Sequence, residues 1–417
     1  MNVSIVNIGD ELLIGQVVNT NASVMSRMLT GAGMNVVNVL VVSDNADAIL
    51  EALRGSLSVS DAVLITGGLG PTKDDITKHT LASFFGSELY ENEEALENVR
   101  RIFAKRGYPL TEVNRRQSWV PRCCTMINNR LGTAPCMWFN TDDGKVVVSL
   151  PGVPFEMVDL MESQVVPRLA AHFDCGHIIN KNILIQGIGE SFLSDLIESW
   201  ELALPSSIRL AYLPQAGMLK LRLTARGADL AMLRGQVDDA VRSLYPIAGQ
   251  YIVGEDAESL PELLVGLMAG SGASLATAES CTGGTVASRI TAVPGASAFF
   301  KGAVVAYSNE VKENLLAVSS QTLADDGAVS EATVRQMAEG VRRLLNADYA
   351  VASSGVAGPS GGTPLKPVGM VWMAVAGPGR TETKMMQYAG QRQQIVDRAS
   401  NELFSMLIKM FKEDRYV

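Results

Sequence analysis

GASLATAESCTGGTVASRIT, Gly272–Thr291, reads as a strand, a turn and a helix in direct succession. Gly272–Thr277 has the small, apolar composition of a buried strand, and Thr285–Thr291 carries a helical pattern. Between them AESCTGG, Ala278–Gly284, sets a serine at the end of the strand and two glycines before the helix. Such a turn exposes the Ser280 hydroxyl. It leaves the first helix amides, with those of Thr282, Gly283 and Gly284, to hold an oxyanion or a phosphate. A serine before two glycines is also an ordinary helix cap, so the turn is read together with two downstream pieces. Tyr307–Lys312 is YSNEVK, and Ser354–Gly369 is SGVAGPSGGTPLKPVG, too polar and too rich in Gly and Pro for a core segment.

The βα alternation around this turn predicts strands at Ala273–Thr277, Ala303–Tyr307, Tyr349–Ser353 and Val368–Val375. Helices are predicted at Pro261–Ala269, Gly284–Thr291, Ser330–Leu345 and Gln391–Phe411. Nucleophilic catalysis at such a turn needs a nucleophile, a proton acceptor and donors for the oxyanion. Ser280 is the nucleophile candidate, and Cys281 at a helix N-terminus is its rival. The chain has three histidines, His79, His172 and His177, all before this segment. A Cys-His pair or Ser-His-Asp triad within it is excluded, and Lys312 with Tyr307 becomes the base candidate. A neutral lysine requires burial or nearby positive charge. Gly355, Gly358, Gly361 and Gly362 suit a loop wrapping phosphate or ribose. Arg392 is a candidate phosphate contact, and Glu279 is placed to orient the base or bind ribose. For Lys312, Tyr307 and Arg392 the plain alternatives are a solvated lysine, a packing tyrosine and a surface arginine.

The first part of the chain repeats the alternation. Val3–Ile8, Asn35–Val42, Ala62–Thr66 and Val146–Leu150 read as buried strands. Ala22–Thr30, Ala46–Leu57, Asp75–Phe85, Glu93–Lys105 and Phe155–Leu169 read as helices. A parallel sheet with helices on both faces is expected, with ligands beyond the carboxyl ends of its strands. TGGLGPTKDDITK, Thr66–Lys78, follows one such strand. Gly67, Gly68 and Gly70 let backbone approach a ligand, and Thr72 or Asp74 is expected to cap the next helix. Asp74 and Asp75 suit a divalent ion beside phosphates. GDELLIG, Gly9–Gly15, adds Glu11, with Asn19 and Asn21 close behind, and LPGVPFE, Leu150–Glu156, adds Glu156. These polar turns predict one pocket, in which Glu11, Asp74, Asp75 and Glu156 are ligand or base candidates. Asn140–Gly144, NTDDG, reads as a hairpin turn.

These motifs, in this order, resemble the CinA family (competence/damage-inducible protein A) over nearly the whole chain. The resemblance implies three domains. Residues 1–172 resemble a three-layer molybdopterin-binding domain of the MoaB/MogA type, 173–252 a small α+β module of KH-like fold, and 253–417 a nicotinamide-nucleotide amidase domain of α/β class. It implies that Ser280, Tyr307 and Lys312 hydrolyse nicotinamide mononucleotide to nicotinate mononucleotide and ammonia, without a cofactor. It also implies that the first domain cleaves ADP-ribose to AMP and ribose 5-phosphate by a metal-activated water. That activity would depend on a divalent metal (Mg, Mn or Co) and be stimulated by potassium. Where the family reads GTAPG this chain has GTAPC, Gly132–Cys136, which predicts an altered loop near that ligand.

Composition bounds these readings. At 417 residues two or three domains are expected, and 47% hydrophobic with 19% charged residues suits well-buried ones. A net charge of −9 argues against a chain-wide nucleic-acid surface. Between His177 and Gln250 seven basic residues face seven acidic ones, so the middle module reads as a spacer or oligomerisation module. Its strands are expected at Asn182–Gln186 and Met218–Thr224, its helices at Glu190–Glu201 and Asp229–Ser243, with a polar hinge at Tyr251–Ser259. No membrane-spanning run, signal peptide or CxxC pair is read, so a cytoplasmic protein is expected. The expected partners are nicotinamide mononucleotide, ADP-ribose and a second copy of the chain in a homodimer, with neither membrane nor nucleic acid. A competence or DNA-repair adaptor and a molybdopterin-handling enzyme are the alternatives. The acidic composition argues against the first, and the appended amidase-like segment against the second.

Overall fold

Every residue of strand Asn2–Ile8 after the first is buried, and Ala62–Thr66 and Val146–Leu150 are buried throughout. Apolar runs of this kind need cover on both faces, and the first unit supplies it. The structure is a computed structural model describing residues 1–72, 75–173 and 175–415. It divides into two units, Met1–Ile179 with Arg226–Leu233 and Asn180–Ala225 with Arg234–Val417.

In the first unit a six-stranded sheet runs in the order Asn35–Val42, Asn2–Ile8, Ala62–Thr66, Val146–Leu150, Cys136–Asn140, Thr125–Ile127. The first four strands are parallel, as expected. The last two pair antiparallel, which the alternation did not reveal. The hairpin turn explains the change of direction: Thr141 N donates to Lys145 O and Gly144 N to Thr141 O, so the strand before the turn must run back along the strand after it. Met25, Leu29, Met157, Leu160 and Leu169 cover one face. Ile49, Leu53 and Leu81 cover the other. Asn2–Ile8 lies between the two strands that follow it in the chain, Asn35–Val42 and Ala62–Thr66, which opens a crevice at the carboxyl ends.

The middle sheet runs Ile208–Gln215, Met218–Gly227, His177–Ile185, Ile252–Glu255, with helices Glu190–Leu202 and Leu230–Ala248. The expected hinge at Tyr251–Ser259 is corrected. Ile252–Glu255 pairs antiparallel with His177–Ile185, and Glu258 accepts from Asn182 and Lys220 at 2.8 and 2.6 Å. A strand of four residues has too little alternation to announce itself.

The last sheet has five strands in the order Phe300–Val305, Leu275–Glu279, Tyr349–Gly355, Met370–Ala376, Thr381–Gln387. The first three are parallel and the last two antiparallel. Helices Leu260–Met268, Thr285–Thr291 and Arg392–Arg415 pack one face through Leu264, Met268, Ile290, Leu403 and Leu407. Glu331–Leu344 and Asn309–Leu316 pack the other through Val334, Met337, Val341 and Leu316. Leu275–Glu279 has a sequence-later strand on each side, so a second crevice opens where Ser280 follows it. Among the described residues no helix is long and apolar enough to cross a membrane.

Candidate active sites

Ser280 leaves its strand with its amide bonded to Ser353 O at 3.0 Å, and Gly283 N returns to Ser280 O at 3.1 Å. This tight turn presents the hydroxyl to a cavity of about 220 Å³. Ser280, Cys281, Tyr307, Lys312, Ser354 and Arg392 are among the residues lining it. Ser308 caps helix Asn309–Leu316, and Lys312, one turn in, is only 1% exposed. Its Nζ stands 2.8 Å from Ala306 O, 3.3 Å from Ser280 Oγ and 3.5 Å from Tyr307 O. Among the described residues no carboxylate pairs with it. Burial holds its pKa below the ordinary lysine value. A neutral amine carries two hydrogens and one lone pair. Two backbone carbonyls take the hydrogens, and the lone pair is left for the serine.

Tyr307 sits just past its strand, which ends at Val305. Its ring is exposed, and its hydroxyl turns to Arg392, accepting from Nη2 at 3.3 Å, rather than to Lys312. Arg392 also donates to Gly358 O at 2.8 Å. Of the glycine loop, Gly355 and Ala357 line the cavity, whereas Gly358 and Gly362 close on Val368 and Gly361 stands outside the lining. Sequence reasoning missed Asn309 and Ser354 as lining residues, although both lie inside the quoted motifs.

The amides at the helix start are not free, and the roles expected for Glu279, Gly283 and Gly284 are corrected. Glu279 is fully buried. Its carboxylate accepts from Gly284 N, Val286 N and Ala287 N at 3.0, 3.0 and 2.8 Å, and from Thr282 Oγ1 at 2.8 Å. Ser353 Oγ lies 2.7 Å from Thr282 Oγ1. This buried carboxylate neutralises the helix start that was expected to bind the ligand. The Thr282 amide, next to the serine turn, has no acceptor among the described residues. Glu279→Gln would aim an amide nitrogen at N–H donors. It is expected to lower stability by about 2–3 kcal/mol, read as a shift in the urea midpoint. Cys281 is buried, and burial pushes its thiol up to about 11, which disfavours it as the nucleophile.

In the first unit Glu11, Asn21, Gly67, Gly68, Gly70, Asp75 and Glu156 line one cavity of about 530 Å³. Gly67 and Gly68 have φ of 111° and 63°. A methyl on Gly67 would collide with Ile8 O, and one on Gly68 with Thr77 Oγ1. The loop therefore folds tightly onto its strand. Asp75 was expected to start a helix. Instead it turns back to accept from Gly70 N at 2.7 Å, Thr72 N at 2.8 Å and Thr72 Oγ1, and the helix starts at Thr77. Thr72 thus fixes Asp75 and lines an adjoining cavity. Asp74 lies outside the described residues.

Glu156 accepts from Asn129 at 2.7 Å, and burial raises its pKa. Asp44, which sequence reasoning missed, is raised by burial and further by the charges of Asp10, Glu11 and Asp75. Only its position at the end of the Asn35–Val42 segment signalled it. Among the described residues no basic side chain lines this cavity. Among the described residues no three His, Cys, Asp or Glu converge closely enough to enclose a metal ion. Cys136, the departure noted above, is fully buried on its strand. Thr133 and Ala134 line the cavity and Cys136 does not, so the expected loop change is replaced by a core substitution.

Two crevices at strand ends, one with a Ser–Lys pair and one with a glycine loop, define a protein of two modular sites. Family models match three segments of the chain. Residues 4–171 match the probable molybdopterin binding domain, 180–254 the damage-inducible protein CinA KH domain, and 257–411 the CinA C-terminal domain. The chain is 42% identical over 409 residues to a CinA-like protein of Cytophaga hutchinsonii, covering 98% of both chains. It is 41% identical over 413 residues to one of Flavobacterium psychrophilum, again covering 98% of both. A crystal structure of competence damage-inducible protein A from Klebsiella pneumoniae is 40% identical, covering 38% of this chain and 97% of that one at a TM-score of 0.36. The chain belongs to the family of CinA-like, competence/damage-inducible proteins.

Proposed function

We propose that the Ser280 crevice hydrolyses the carboxamide of nicotinamide mononucleotide and that the glycine-loop cavity cleaves ADP-ribose to AMP and ribose 5-phosphate. The observation carrying the first activity is the buried Lys312 amine, unpaired with any described carboxylate, 3.3 Å from Ser280 Oγ. Neutral Lys312 takes the Ser280 proton as Oγ attacks the carboxamide carbon. A backbone amide of the Ser280 turn donates to the oxyanion. Lys312 then protonates the leaving nitrogen, and ammonia departs as the C–N bond breaks. Water, giving a proton to Lys312, hydrolyses the acyl-serine to nicotinate mononucleotide and restores the pair. Arg392 and Tyr307, exposed on the cavity rim, bind the 5′-phosphate.

Among the described residues the second cavity presents the carboxylates of Glu11, Asp44, Asp75 and Glu156 and no basic side chain. A diphosphate entering it needs a compensating cation. Glu11 and Asp44 would hold a hydrated divalent ion together with the substrate, not in a closed protein cage. Such an ion supplies charge neutralisation to the diphosphate. The Gly68 amide, without an acceptor among the described residues, contacts a phosphate oxygen. Asp75 holds the loop in shape, and Glu156, made more basic by burial, accepts a proton from the attacking water.

The full chain, assayed with each substrate with and without EDTA, separates the sites. ADP-ribose cleavage is expected to stop with EDTA and ammonia release to continue. Glu11→Gln and Asp44→Asn should weaken the first activity alone. Loss of both activities to EDTA would sink the two-site reading.

A further inference from the structure

Asn7 lies near the carboxyl end of the first strand, 1% exposed, and its Nδ2 donates to Leu40 O at 3.1 Å. Asn21 Nδ2 donates to Gly152 O at 2.7 Å and reaches Thr66 Oγ1 at 3.5 Å. Thr66 is the cross-strand partner of Asn7, so the two asparagines belong to one patch of the cavity they both line. Their amide nitrogens are committed to protein acceptors, which sets the orientation of each carboxamide. Their Oδ1 atoms are buried and unpartnered. Buried acceptors are seldom left open in a folded protein. Two in one patch of one cavity indicate a ligand that brings donors.

Phosphate oxygens only accept, so they do not fit this patch. A ribose cis-diol does, because its neighbouring hydroxyls each carry one O–H. We propose that Asn7 and Asn21 form a subsite that accepts hydrogen bonds from the cis-diol of one ribose, making this cavity selective for ribosyl over deoxyribosyl ligands. The assignment rests on reading the cavity as a ribosyl-diphosphate site. Asn7 is a specificity residue here, remote in role from the proton transfers.

Calorimetry on the full chain tests this with two product pairs, AMP against 2′-deoxy-AMP and ribose 5-phosphate against 2-deoxyribose 5-phosphate. In one pair the deoxy compound is expected to bind about 10-fold or more weakly, because it leaves a buried acceptor unpaired. Asn7→Leu, verified by cooperative thermal unfolding, should abolish that preference. The wild-type ratio stands as a test without any variant. Equal binding within both pairs overturns the diol assignment while leaving ADP-ribose cleavage standing. Binding of none of the four overturns both. A preference for AMP over inosine 5′-phosphate with no penalty for either deoxy compound overturns the assignment in favour of the base amine.

Discussion

Ser280→Ala is expected to lower deamidation of nicotinamide mononucleotide by about 10³-fold or more, the scale of losing a nucleophile that works as one unit with its base. Folding and ADP-ribose cleavage should be unchanged, since Ser280 is in the Asn180–Ala225 and Arg234–Val417 unit and the glycine-loop cavity is in the other. The measurement is ammonia release under single-turnover conditions, with the unfolding midpoint as control. Cys281→Ser should retain substantial activity, because the Cys281 thiol is buried and pushed up to about 11. Near wild-type ammonia release from Ser280→Ala, or a dead Cys281→Ser beside it, would assign the chemistry to the wrong atom.

Lys312→Met should reduce kcat by about 10²–10⁴-fold with little change in KM, as expected for loss of a group that moves a proton in the chemical step. The wild-type rate should rise with pH through the lowered pKa of Lys312, because the neutral amine is the working form. That rising limb should be missing from Lys312→Met. Stability follows the same titration. Between the lowered folded value and the ordinary 10.5 the unfolded chain binds more protons, so burying this lysine costs stability that returns as pH rises. Lys312→Met should therefore unfold at a higher temperature near neutral pH while losing activity. A variant altered only in KM would make Lys312 a binding residue.

The two crevices differ in what orders them. At the Ser280 site a lysine is desolvated among backbone carbonyls, with its charge uncompensated by the described residues. At the glycine-loop site several carboxylates share a cavity without convergence. One arrangement suits a proton carrier; the other, acidic among the described residues, suits an anionic ligand accompanied by a cation. The Glu279 carboxylate marks the same division from the other side. It saturates the helix start beside Ser280.

Much of this was legible in the sequence because it is local. The strand–turn–helix at Gly272–Thr291 and the Gly67–Gly70 turn follow from periodicity and from glycines that only certain backbones require. The absence of histidine after His177 alone left lysine as the base. Local pattern also placed four parallel strands of the first sheet. It did not place Thr381–Gln387, whose residues are only half-covered at a sheet edge and so lack an apolar signature. Nor did it show where polar side chains would spend their hydrogen bonds. Glu279 and Asp75 each look like ligand residues in the sequence, yet each closes its own loop. Tyr307 and Lys312 look like a pair, yet the tyrosine hydroxyl meets Arg392, 85 positions away. Asn7 reads as one polar residue in an apolar strand. Its open acceptor exists because the strand beside it supplies Leu40 O to its nitrogen and nothing to its oxygen. Element type and candidate chemistry are set by spacing along the chain. Which donor meets which acceptor is set by burial among distant segments, and only the tertiary structure decides that.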